Sequence, residues 1–382
     1  MNSRERVMTA LNHKEPDRIP FNMVVTISVF EDLKKTLGLG DHVKPLRMGH
    51  WTDVQMSIEM IKELGVDVYY VSPKSGKSPH SKKFEDGSFI DEWGCYWKKV
   101  EIANGHYLFE MVNAPLENAS IEDLDKYVWP DPDDPLRYEG LYEEIKNIRE
   151  NTDLAIIAKF AGPVFELGKY LRGYSQWLID LMVNQEFAAK FMEKVCSIQK
   201  RINENCIKEV GKYVDVLRLS GEDFGMQDRP LIPPKVFKQV IKPYQKDLWM
   251  HAKELLLKYN PEAKVMLHSC GDVYPFIEDF IDCGVDVLDP IQPRAAEMDR
   301  FRLKKEFGDR LCFHGGIDIQ HVLPFGTDEE LEEEVITAIK ALGVGGGYIV
   351  GPAHNVQSDV SAEKLLKMSD LIKKYGKYPI RL

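Results

Sequence analysis

The chain has 382 residues, of which 44% are hydrophobic, and a formal net charge of -11 at pH 7. This composition allows a large buried core, in one large domain or two smaller ones. The pattern of elements described below favours a single domain over residues 1–382. The acidic balance argues against nucleic acid or an anionic membrane as the main partner, because both bind basic surfaces. The sequence has no apolar run near the ~18 residues of a membrane-spanning helix. Its polar N-terminus predicts a cytoplasmic protein, in which the six scattered cysteines are thiols or ligands rather than disulfides.

The first part of the chain alternates helical and extended patterns. Apolar residues at helical spacing predict helices, and short apolar runs between turn-forming residues predict strands. The predicted elements are a helix over 3–11 capped by Ser3, a strand over 21–26, helices over 29–37 and 54–64, and a strand over 66–71.

The pattern changes between about residues 85 and 115. Aromatic and aliphatic residues there partly alternate with polar ones, and Asn104-Gly105 is a turn signal. The segment predicts an antiparallel hairpin or meander inserted between the other elements. We interpret Trp93 and Trp97 as packing within this hairpin rather than as ligand-stacking residues.

The second half of the chain returns to a regular alternation. It predicts strands over 154–160, 214–220, 263–268, 285–288, 311–313 and 347–350, separated by helices that include 165–171, 177–183, 187–209 and 235–257. With the two earlier strands this makes eight. Strands alternating with helices require a parallel sheet, and eight of them favour an α/β fold of the closed (β/α)8 TIM-barrel type, with an N-terminal helical segment. A doubly wound open sheet is the alternative.

The strand that ends at His268 leads directly into polar residues, Ser269-Cys270-Gly271-Asp272. Residues i and i+2 of an extended segment point to the same side, so His268 and Cys270 could bind one metal ion such as zinc. Two ligands do not define a site, and core packing remains an alternative explanation of this pair.

Polar residues follow the other predicted strands as well. In a (β/α)8 barrel the residues that follow the strands meet at one rim, where catalytic groups lie. The candidates are Glu222, Asp223 and Gln227 after the fourth strand, Asp289 and Gln292 after the sixth, His314 and Asp318 after the seventh, and His354 and Asn355 after the eighth. Each also has a structural explanation: His314 could bond its own turn, Asp318 could cap a helix and Asp223 could order its loop.

Four motifs together resemble the uroporphyrinogen decarboxylase superfamily. They are residues 4–20, Glu222–Gln227 with Pro233-Pro234, His268–Gly271 and His314–Asp318. The resemblance covers essentially the whole chain, and it implies a (β/α)8 barrel. The superfamily includes decarboxylases of uroporphyrinogen and corrinoid-linked methyltransferases.

Two features favour the methyltransferase branch. The decarboxylases have an early arginine-containing segment that engages the carboxylates of the substrate, whereas the corresponding stretch here, Phe21–Val29, has no arginine. The methyltransferases bind zinc through His-x-Cys after the fifth strand and a later Cys near the eighth. This chain has His268 and Cys270, and His354 stands where the later Cys would fall. A fourth ligand is expected from Glu222, Asp289 or Gln292, of which Asp289 has the most suitable charge.

The resemblance therefore predicts a zinc-dependent methyltransferase that moves a methyl group from a small methylated substrate to the cobalt of a corrinoid. A methoxylated aromatic is the favoured methyl donor. The sequence has no Asp-x-His-x-x-Gly motif, so we expect the corrinoid (cobalamin) on a partner protein. Asp223 or His314 is expected to protonate the leaving oxygen. The expected substrate-binding residues are Glu222, Gln227, Gln292 and Asn355.

Three other functions remain open at this point. One is a decarboxylase that uses a carboxylate such as Asp223 without metal, and another is a methylcorrinoid:thiol methyltransferase. The third is a non-catalytic binding component. A homodimer is a further expectation.

Overall fold

The computed structural model describes residues 1–40, 46–47, 53–102, 107–219 and 221–381. Fourteen strands lie in these ranges. In chain order they are β1 (Val25–Thr26), β2 (Leu46–Arg47), β3 (Asp53–Gln55), β4 (Val68–Val71), β5 (Lys82–Lys83), β6 (Phe89–Ile90), β7 (Tyr96–Glu101), β8 (Tyr107–Asn113), β9 (Ala155–Ala158), β10 (Val216–Leu219), β11 (Lys264–His268), β12 (Val287–Ile291), β13 (Cys312–Ile317) and β14 (Tyr348–Pro352).

Helices connect most of these strands. They are α1 (Ser3–Leu11), α2 (Ile27–Thr36), α3 (Ile58–Leu64), α4 (Asp123–Lys126), α5 (Leu141–Asn151), α6 (Phe165–Arg172), α7 (Tyr174–Val183), α8 (Gln185–Val210), α9 (Pro234–Val236), α10 (Lys242–Tyr259), α11 (Ile277–Asp282), α12 (Arg300–Phe307), α13 (Val322–Phe325), α14 (Asp328–Ala338) and α15 (Ala362–Tyr375). None of the described helices combines the length and the apolar composition needed to cross a membrane.

Seven strands form one parallel sheet in the order β14-β13-β12-β11-β10-β9-β4. Residues 20–22 join its two edges. The N–H of Asn22 donates to the Val350 carbonyl at 3.0 Å, and the N–H of Asp67 donates to the Phe21 carbonyl at 2.8 Å. The sheet therefore closes into a barrel, which confirms the predicted (β/α)8 class and removes the open-sheet alternative. Buried apolar side chains in every strand account for the continuous apolar runs in the sequence.

The N-terminal helix α1 covers the amino ends of the strands, where it contacts β9 and β14 of its own barrel. Its cap is Asn2 and not Ser3, because the Asn2 side chain accepts the N–H of Glu5 and the Glu5 carboxylate accepts the N–H of Asn2. Ser3 instead donates to Asp67, a fully buried carboxylate that also pairs with Arg6 at 2.7 Å. This charged cluster fixes the helix to the end of the barrel opposite the cavity described below.

The predicted meander is present as a second sheet in which β5, β6, β7 and β8 pair in that order, all antiparallel. The predicted Asn104-Gly105 turn lies outside the described residues. Trp97 is buried in this sheet, and its indole N–H donates to Asp91 at 2.8 Å.

Two predicted elements differ from the structure. The strand predicted over 21–26 is divided, because residues 20–22 close the barrel while Val25 pairs with Val54 in a small antiparallel sheet. The predicted helix over 54–64 therefore begins later, at Ile58, where the Ser57 side chain accepts the N–H of Met60. Val54 fits the helical spacing, but the pairing with β1 determines its conformation.

Candidate metal centre and active-site cavity

The carboxyl ends of the barrel strands surround a cavity of about 400 Å³. One wall comes from the antiparallel sheet and includes Asp91, Glu92, Trp93, Cys95 and Trp97. The barrel side includes Asp53, Tyr70, Lys159, Phe160, Arg218, Asp223, His268, His354 and Asn355. The inserted meander thus contributes a wall of the cavity, and both Trp93 and Trp97 face it in addition to packing within their sheet.

Three predicted metal ligands converge beside this cavity, whose lining includes His268 and His354 but not Cys270. One ligand atom each from His268, Cys270 and His354 lies within 4.8 Å of the other two. His268 ends β11, Cys270 lies in the loop that follows, and His354 follows β14, so the barrel brings together residues that three strands of the sheet separate in sequence. Zinc in tetrahedral coordination holds nitrogen and sulfur ligands about 3.5 Å apart. The separations in the cluster are up to about 1.3 Å wider than that. His354 is the most exposed of the three residues.

The ring of His268 is oriented by Asp289. The Nδ1 atom of His268 lies 2.9 Å from Oδ2 of Asp289, which leaves Nε2 directed toward the cluster. A guanidinium nitrogen of Arg218 also lies 2.7 Å from this Nδ1 atom. That nitrogen lies 2.8 Å from the same Oδ2 atom of Asp289, so Arg218 and His268 both donate to Asp289. We therefore assign the proton to Nδ1 and the free lone pair to Nε2. A histidine that donates its second nitrogen to a carboxylate is the usual arrangement at zinc sites.

Asp289 is engaged by three side chains at once. Besides His268 and Arg218, the Nδ1 of His314 lies 2.6 Å from its Oδ1. Burial alone would raise the pKa of Asp289, but the charge of Arg218 and the interactions with His314 and His268 outweigh it and hold that pKa well below its usual range. Asp289, predicted as a metal ligand, has both oxygens on protein partners and acts in this structure as an orienting carboxylate.

Cys270 and Asp223 contact each other beside the cluster. The N–H of Cys270 donates to Asp223 Oδ1 at 3.2 Å, and the same carboxylate lies 3.7 Å from Nε2 of His268. Burial raises the pKa of the Cys270 thiol, and the Asp223 charge raises it further. Burial also favours the neutral form of Asp223, but His268 and Lys169 outweigh this and lower its pKa. Asp223 is therefore ionised at neutral pH, which argues against the predicted role as a proton donor.

His354 completes the cluster from the loop after β14. Its ring lies 5.5 Å from the ring of His268, between centroids, at an angle of 71°. Part of the residue faces solvent, but the ring lies in the cavity wall. Loss of water around the ring, together with the nearby His268, lowers the pKa of His354 to about 4. The imidazole is thus neutral at pH 7, the form that binds metal ions.

The structure does not bring His314 to the cavity surface. Its Nδ1 bonds to Asp289, and its Nε2 lies 2.7 Å from the amide nitrogen of Asn22, which also donates to the hydroxyl of Tyr70. His314 is 6% exposed. With both nitrogens bound to protein, it has no free position from which to protonate a substrate, so the predicted catalytic role does not fit its geometry. Its contact with Asp289 makes it a positioning residue.

Three of the predicted substrate-binding residues lie away from the cavity. Glu222 is fully buried and accepts the backbone N–H groups of Val164 and Glu166 at the start of α6, at 2.6 and 3.0 Å. Gln227 and Gln292 lie on the outer side of the loops, where Gln292 accepts the N–H of Gly271 at 2.9 Å. These residues hold the loops in place and do not line the cavity. Position after a strand did not reveal which way each side chain would point.

The remaining predicted residues are placed as follows. Asn355 lines the cavity and donates to the Asp53 carboxylate at 2.5 Å. Asp318 accepts the N–H groups of Gln320 and His321, at 2.8 and 3.2 Å, in the turn before α13. The N-cap of α13 is His321, so Asp318 orders this turn and is not the N-cap considered from the sequence.

Sequence reasoning missed two cationic side chains in the cavity. Arg218 lies within β10, and Lys159 directly follows β9. A charged residue within or next to a strand that is otherwise buried was the available signal, because parallel barrel strands are apolar unless a function or an ion pair requires otherwise. Burial, together with the nearby Arg218, lowers the pKa of Lys159 to about 8.

Glycines allow the loops after β10 and β11 to lie in direct backbone contact. A Cβ atom on Gly225 would lie 2.5 Å from the Cys270 carbonyl oxygen, and one on Gly271 would lie 2.5 Å from the carbonyl carbon of Gly225. Gly271 also has φ +80°, a conformation that favours glycine. The N–H of Asp272 then donates to the Met226 carbonyl at 2.7 Å. These contacts set the position of Cys270.

A protein-family model and two similar curated proteins point to the same family. The family described as Uroporphyrinogen decarboxylase (URO-D) matches residues 108–375, more than half of the chain. Uroporphyrinogen decarboxylase from Chlorobaculum tepidum is 22% identical over 262 residues, which cover 66% of this chain and 68% of the relative. The enzyme of the same name from Chlorobaculum parvum is 22% identical over 267 residues, 67% of this chain and 70% of the relative.

Among solved structures, a methyltransferase from Methanosarcina mazei is similar over nearly the whole chain. The TM-score is 0.66 at 16% sequence identity, and the alignment covers 98% of this chain and 99% of the other. At this identity the likeness shows a shared fold. The barrel of this chain is therefore a known architecture.

Proposed function

The chain belongs to the uroporphyrinogen decarboxylase family, and from this premise we propose that it is a zinc-dependent methyltransferase. In this proposal it transfers a methyl group from a methoxylated aromatic compound to the cobalt of a corrinoid carried by a separate protein. The observation that carries the proposal is the convergence of His268, Cys270 and His354 beside a cavity with aromatic walls. The similar fold of a protein named as a methyltransferase supports it.

His268, Cys270 and His354 would hold the zinc ion, which when bound supplies a Lewis acid that stabilises the oxygen losing its methyl group. Three protein ligands leave a fourth position for substrate, as is usual in catalytic zinc sites. Of the fourth ligands predicted from sequence, Glu222 caps α6, Asp289 holds His268, and Gln292 holds Gly271. None of them is directed at the cluster, which favours an open fourth position.

The carboxylates around the cluster have positioning roles in this proposal. Asp289 fixes the ring of His268, and His314 and Arg218 fix Asp289. Asp223 holds the loop of Cys270 through its backbone N–H. His268 and the backbone of Cys270 are thus held before metal binds, so these two residues lose little freedom when the site is filled.

The walls of the cavity suit an aromatic donor. Trp93 and Trp97 lie on one side, and Tyr70 and Phe160 lie on the barrel side. Aromatic side chains favour flat rings through burial and through offset or edge contacts. A small cavity of about 400 Å³ also suits a single-ring compound.

Decarboxylation is a second candidate because the curated relatives are named uroporphyrinogen decarboxylases. Two observations count against it. The segment Phe21–Val29 has no arginine to bind a polycarboxylate. Of the cavity cations, Arg137 is paired with Glu92 and Arg218 with Asp289, at 2.5 and 2.8 Å. Among the described lining residues this leaves Lys159 as the cation without a carboxylate partner, which is little positive charge for a substrate with many carboxylates.

Metal analysis tests the first half of the proposal. The purified protein is expected to contain, or to take up, about one zinc ion per chain. His268→Ala, Cys270→Ala and His354→Ala should each reduce that content, whereas His251→Ala, which changes an exposed histidine outside the cavity, should not. A wild-type protein that neither contains nor takes up zinc would overturn the metal mechanism.

Methyl transfer tests the second half. The zinc-loaded protein is mixed with cob(I)alamin and a panel of methoxylated benzoates and phenols, and formation of methylcobalamin is followed by its absorption spectrum. Appearance of methylcobalamin, lost in Cys270→Ala, supports the proposal. Release of carbon dioxide from uroporphyrinogen would favour the decarboxylase, methylation of a thiol from methylcobalamin would favour transfer in the opposite direction, and no turnover in any assay would favour a binding component.

A further inference from the structure

Lys159 is a cavity residue to which neither the metal cluster nor its orienting carboxylates assign a role. It follows β9 and lines the barrel side of the cavity. Its ammonium group has no hydrogen bond or ion pair to any residue that the structure describes. An ammonium group carries three donors, and burying it without acceptors is unfavourable.

The other cations that line the cavity are each paired with a carboxylate. Arg218 lies 2.8 Å from Asp289, and Arg137 lies 2.5 Å from Glu92. Lys74, at the edge of the cavity, lies 2.9 Å from Glu139. Lys159 differs from all three within the described part of the chain, because its charge faces the cavity and has no direct partner.

The charges nearest to Lys159 do not supply the missing acceptor. Arg218, Asp53 and Asp289 are the groups that act on it electrostatically. Asp289 is occupied by Arg218 and two histidines, and Asp53 accepts a hydrogen bond from Asn355. An anionic oxygen entering the cavity would find the donors of Lys159 free.

We infer that Lys159 binds an oxyanion of the methyl donor, so that the substrate is a methoxylated aromatic carrying a carboxylate or a phenolate. This inference rests on the proposed function, because it names the substrate class of the same cavity. The two requirements, an aromatic ring and an oxyanion, come from opposite sides of the cavity: Trp93 and Trp97 on one, Lys159 on the other.

Calorimetric binding to the zinc-loaded protein tests the inference without any corrinoid. The matched probes are 4-methoxybenzoate and 4-methoxybenzamide, which differ in charge but hardly in shape. We expect the benzoate to bind at least about tenfold more tightly, since a charge-assisted hydrogen bond is worth that factor or more. A second pair, 2-methoxyphenol and 1,2-dimethoxybenzene, separates the two sources of the oxyanion. Preference for the phenol, with release of a proton on binding, would assign the site to a phenolate.

Two lysine variants test whether Lys159 is the residue that binds the oxyanion. In Lys159→Met the preference for 4-methoxybenzoate should disappear while binding of the neutral amide is retained, which also shows that the cavity is intact. Lys146→Met removes the same charge from the exposed surface of α5 and should leave both affinities unchanged. Equal affinity of the wild-type protein for the charged and neutral members of both pairs would overturn the inference, and that comparison needs no variant.

The experiments distinguish failure of the oxyanion site from failure of the proposed methyltransferase. Tight binding of the benzoate through Lys159, with no methylation of cob(I)alamin by any donor, would leave the oxyanion site standing and remove the methyltransferase. Methylation of cob(I)alamin by a neutral methyl ether, without preference for anions, would support the methyltransferase and remove the oxyanion site.

Discussion

Asp289 orients one residue of the proposed metal centre but is not itself directed at the cluster. Its two oxygens hold His268 and His314, and Arg218 balances its charge. The bond to Nδ1 fixes both the tautomer and the orientation of the His268 ring, so Nε2 faces the cluster. A carboxylate in this position also makes the imidazole a stronger ligand.

Replacing Asp289 with Asn should weaken zinc binding by about 10- to 100-fold, because an amide of the same shape holds the ring without the negative charge. Competition with a chromogenic chelator measures the affinity. Asp370→Asn, on the exposed surface of α15, removes the same charge at a distance and should bind zinc like the wild type. An unchanged affinity in Asp289→Asn would show that the carboxylate serves the fold alone.

Binding of 4-methoxybenzoate should depend on pH through Lys159. The pKa of this ammonium in the free protein is lowered to about 8 by burial and by Arg218, with Asp53 and Asp289 acting in the opposite direction. Affinity is therefore expected to be level below pH 8 and to fall as pH rises through that value, by up to tenfold per pH unit, because the free protein loses the charge that binds the anion. Calorimetry from about pH 7 to about pH 9.5 checks this. A level profile in the wild type, or the same decline in Lys159→Met, would contradict the assignment.

At the scale of elements, the loops after β10 and β11 act as one unit. Gly225 and Gly271 let the two backbones touch, and the N–H of Asp272 bonds to the carbonyl of Met226. Cys270 lies within this contact, so its position depends on both loops. Gly225 and Gly271 are thus required by the close packing of these two loops, in addition to any catalytic requirement.

Gly225→Ala should displace Cys270, because the new Cβ would meet the Cys270 carbonyl oxygen at 2.5 Å and the Asp272 nitrogen at 2.6 Å. Both are backbone atoms, so the loops must separate, at a cost of about 1–3 kcal/mol in unfolding free energy. Gly221→Ala is the matched control in the same loop, since its Cβ would meet only the His268 ring, at 3.9 Å. Urea denaturation and zinc affinity, measured for both variants, test the difference. Equal behaviour of the two would show that the loops adjust without strain.

Much of the fold followed from sequence because barrel strands are buried on both faces. Continuous apolar runs located the parallel strands, and alternation of apolar and polar residues located the antiparallel sheet. The cluster of His268 and Cys270 followed from their spacing at a strand end. Such features depend on local pattern, which is what a single sequence displays.

The features that sequence did not predict depend on tertiary contacts. Val54 has helical spacing but pairs with Val25 in a strand, and Glu222 follows a strand but turns away to cap α6. Lys159 and Arg218 become cavity residues only because the barrel closes around them. Local sequence preferences do not determine the direction in which a side chain points when the residue that it contacts is far away in sequence.

At the scale of the whole molecule, the site depends on closure of the barrel. The hydrogen bonds of residues 20–22 join β14 to β4, and His354 follows β14 while His268 ends β11. If the barrel opened, the ligands would separate, and an unfolded chain would bind zinc far more weakly. In the proposed zinc protein, metal binding and folding would therefore be coupled, and zinc should stabilise the entire barrel.

Removal of zinc should lower the melting temperature of the wild-type protein. A ligand at about 100 times its dissociation constant stabilises the folded state by about 2.7 kcal/mol. With an unfolding entropy of about 0.8 kcal/mol/K for a chain of this length, that corresponds to a shift of about 3 °C. Calorimetric melting with zinc and with a chelator measures it, and Cys270→Ala, which lacks one ligand, should show a much smaller difference. The cluster joins β11 to the end of β14. If the zinc-dependent shift in melting temperature disappears in both Cys270→Ala and His354→Ala, zinc links these two parts of the barrel. An equal shift in the wild type and in both variants would place the stabilising metal elsewhere.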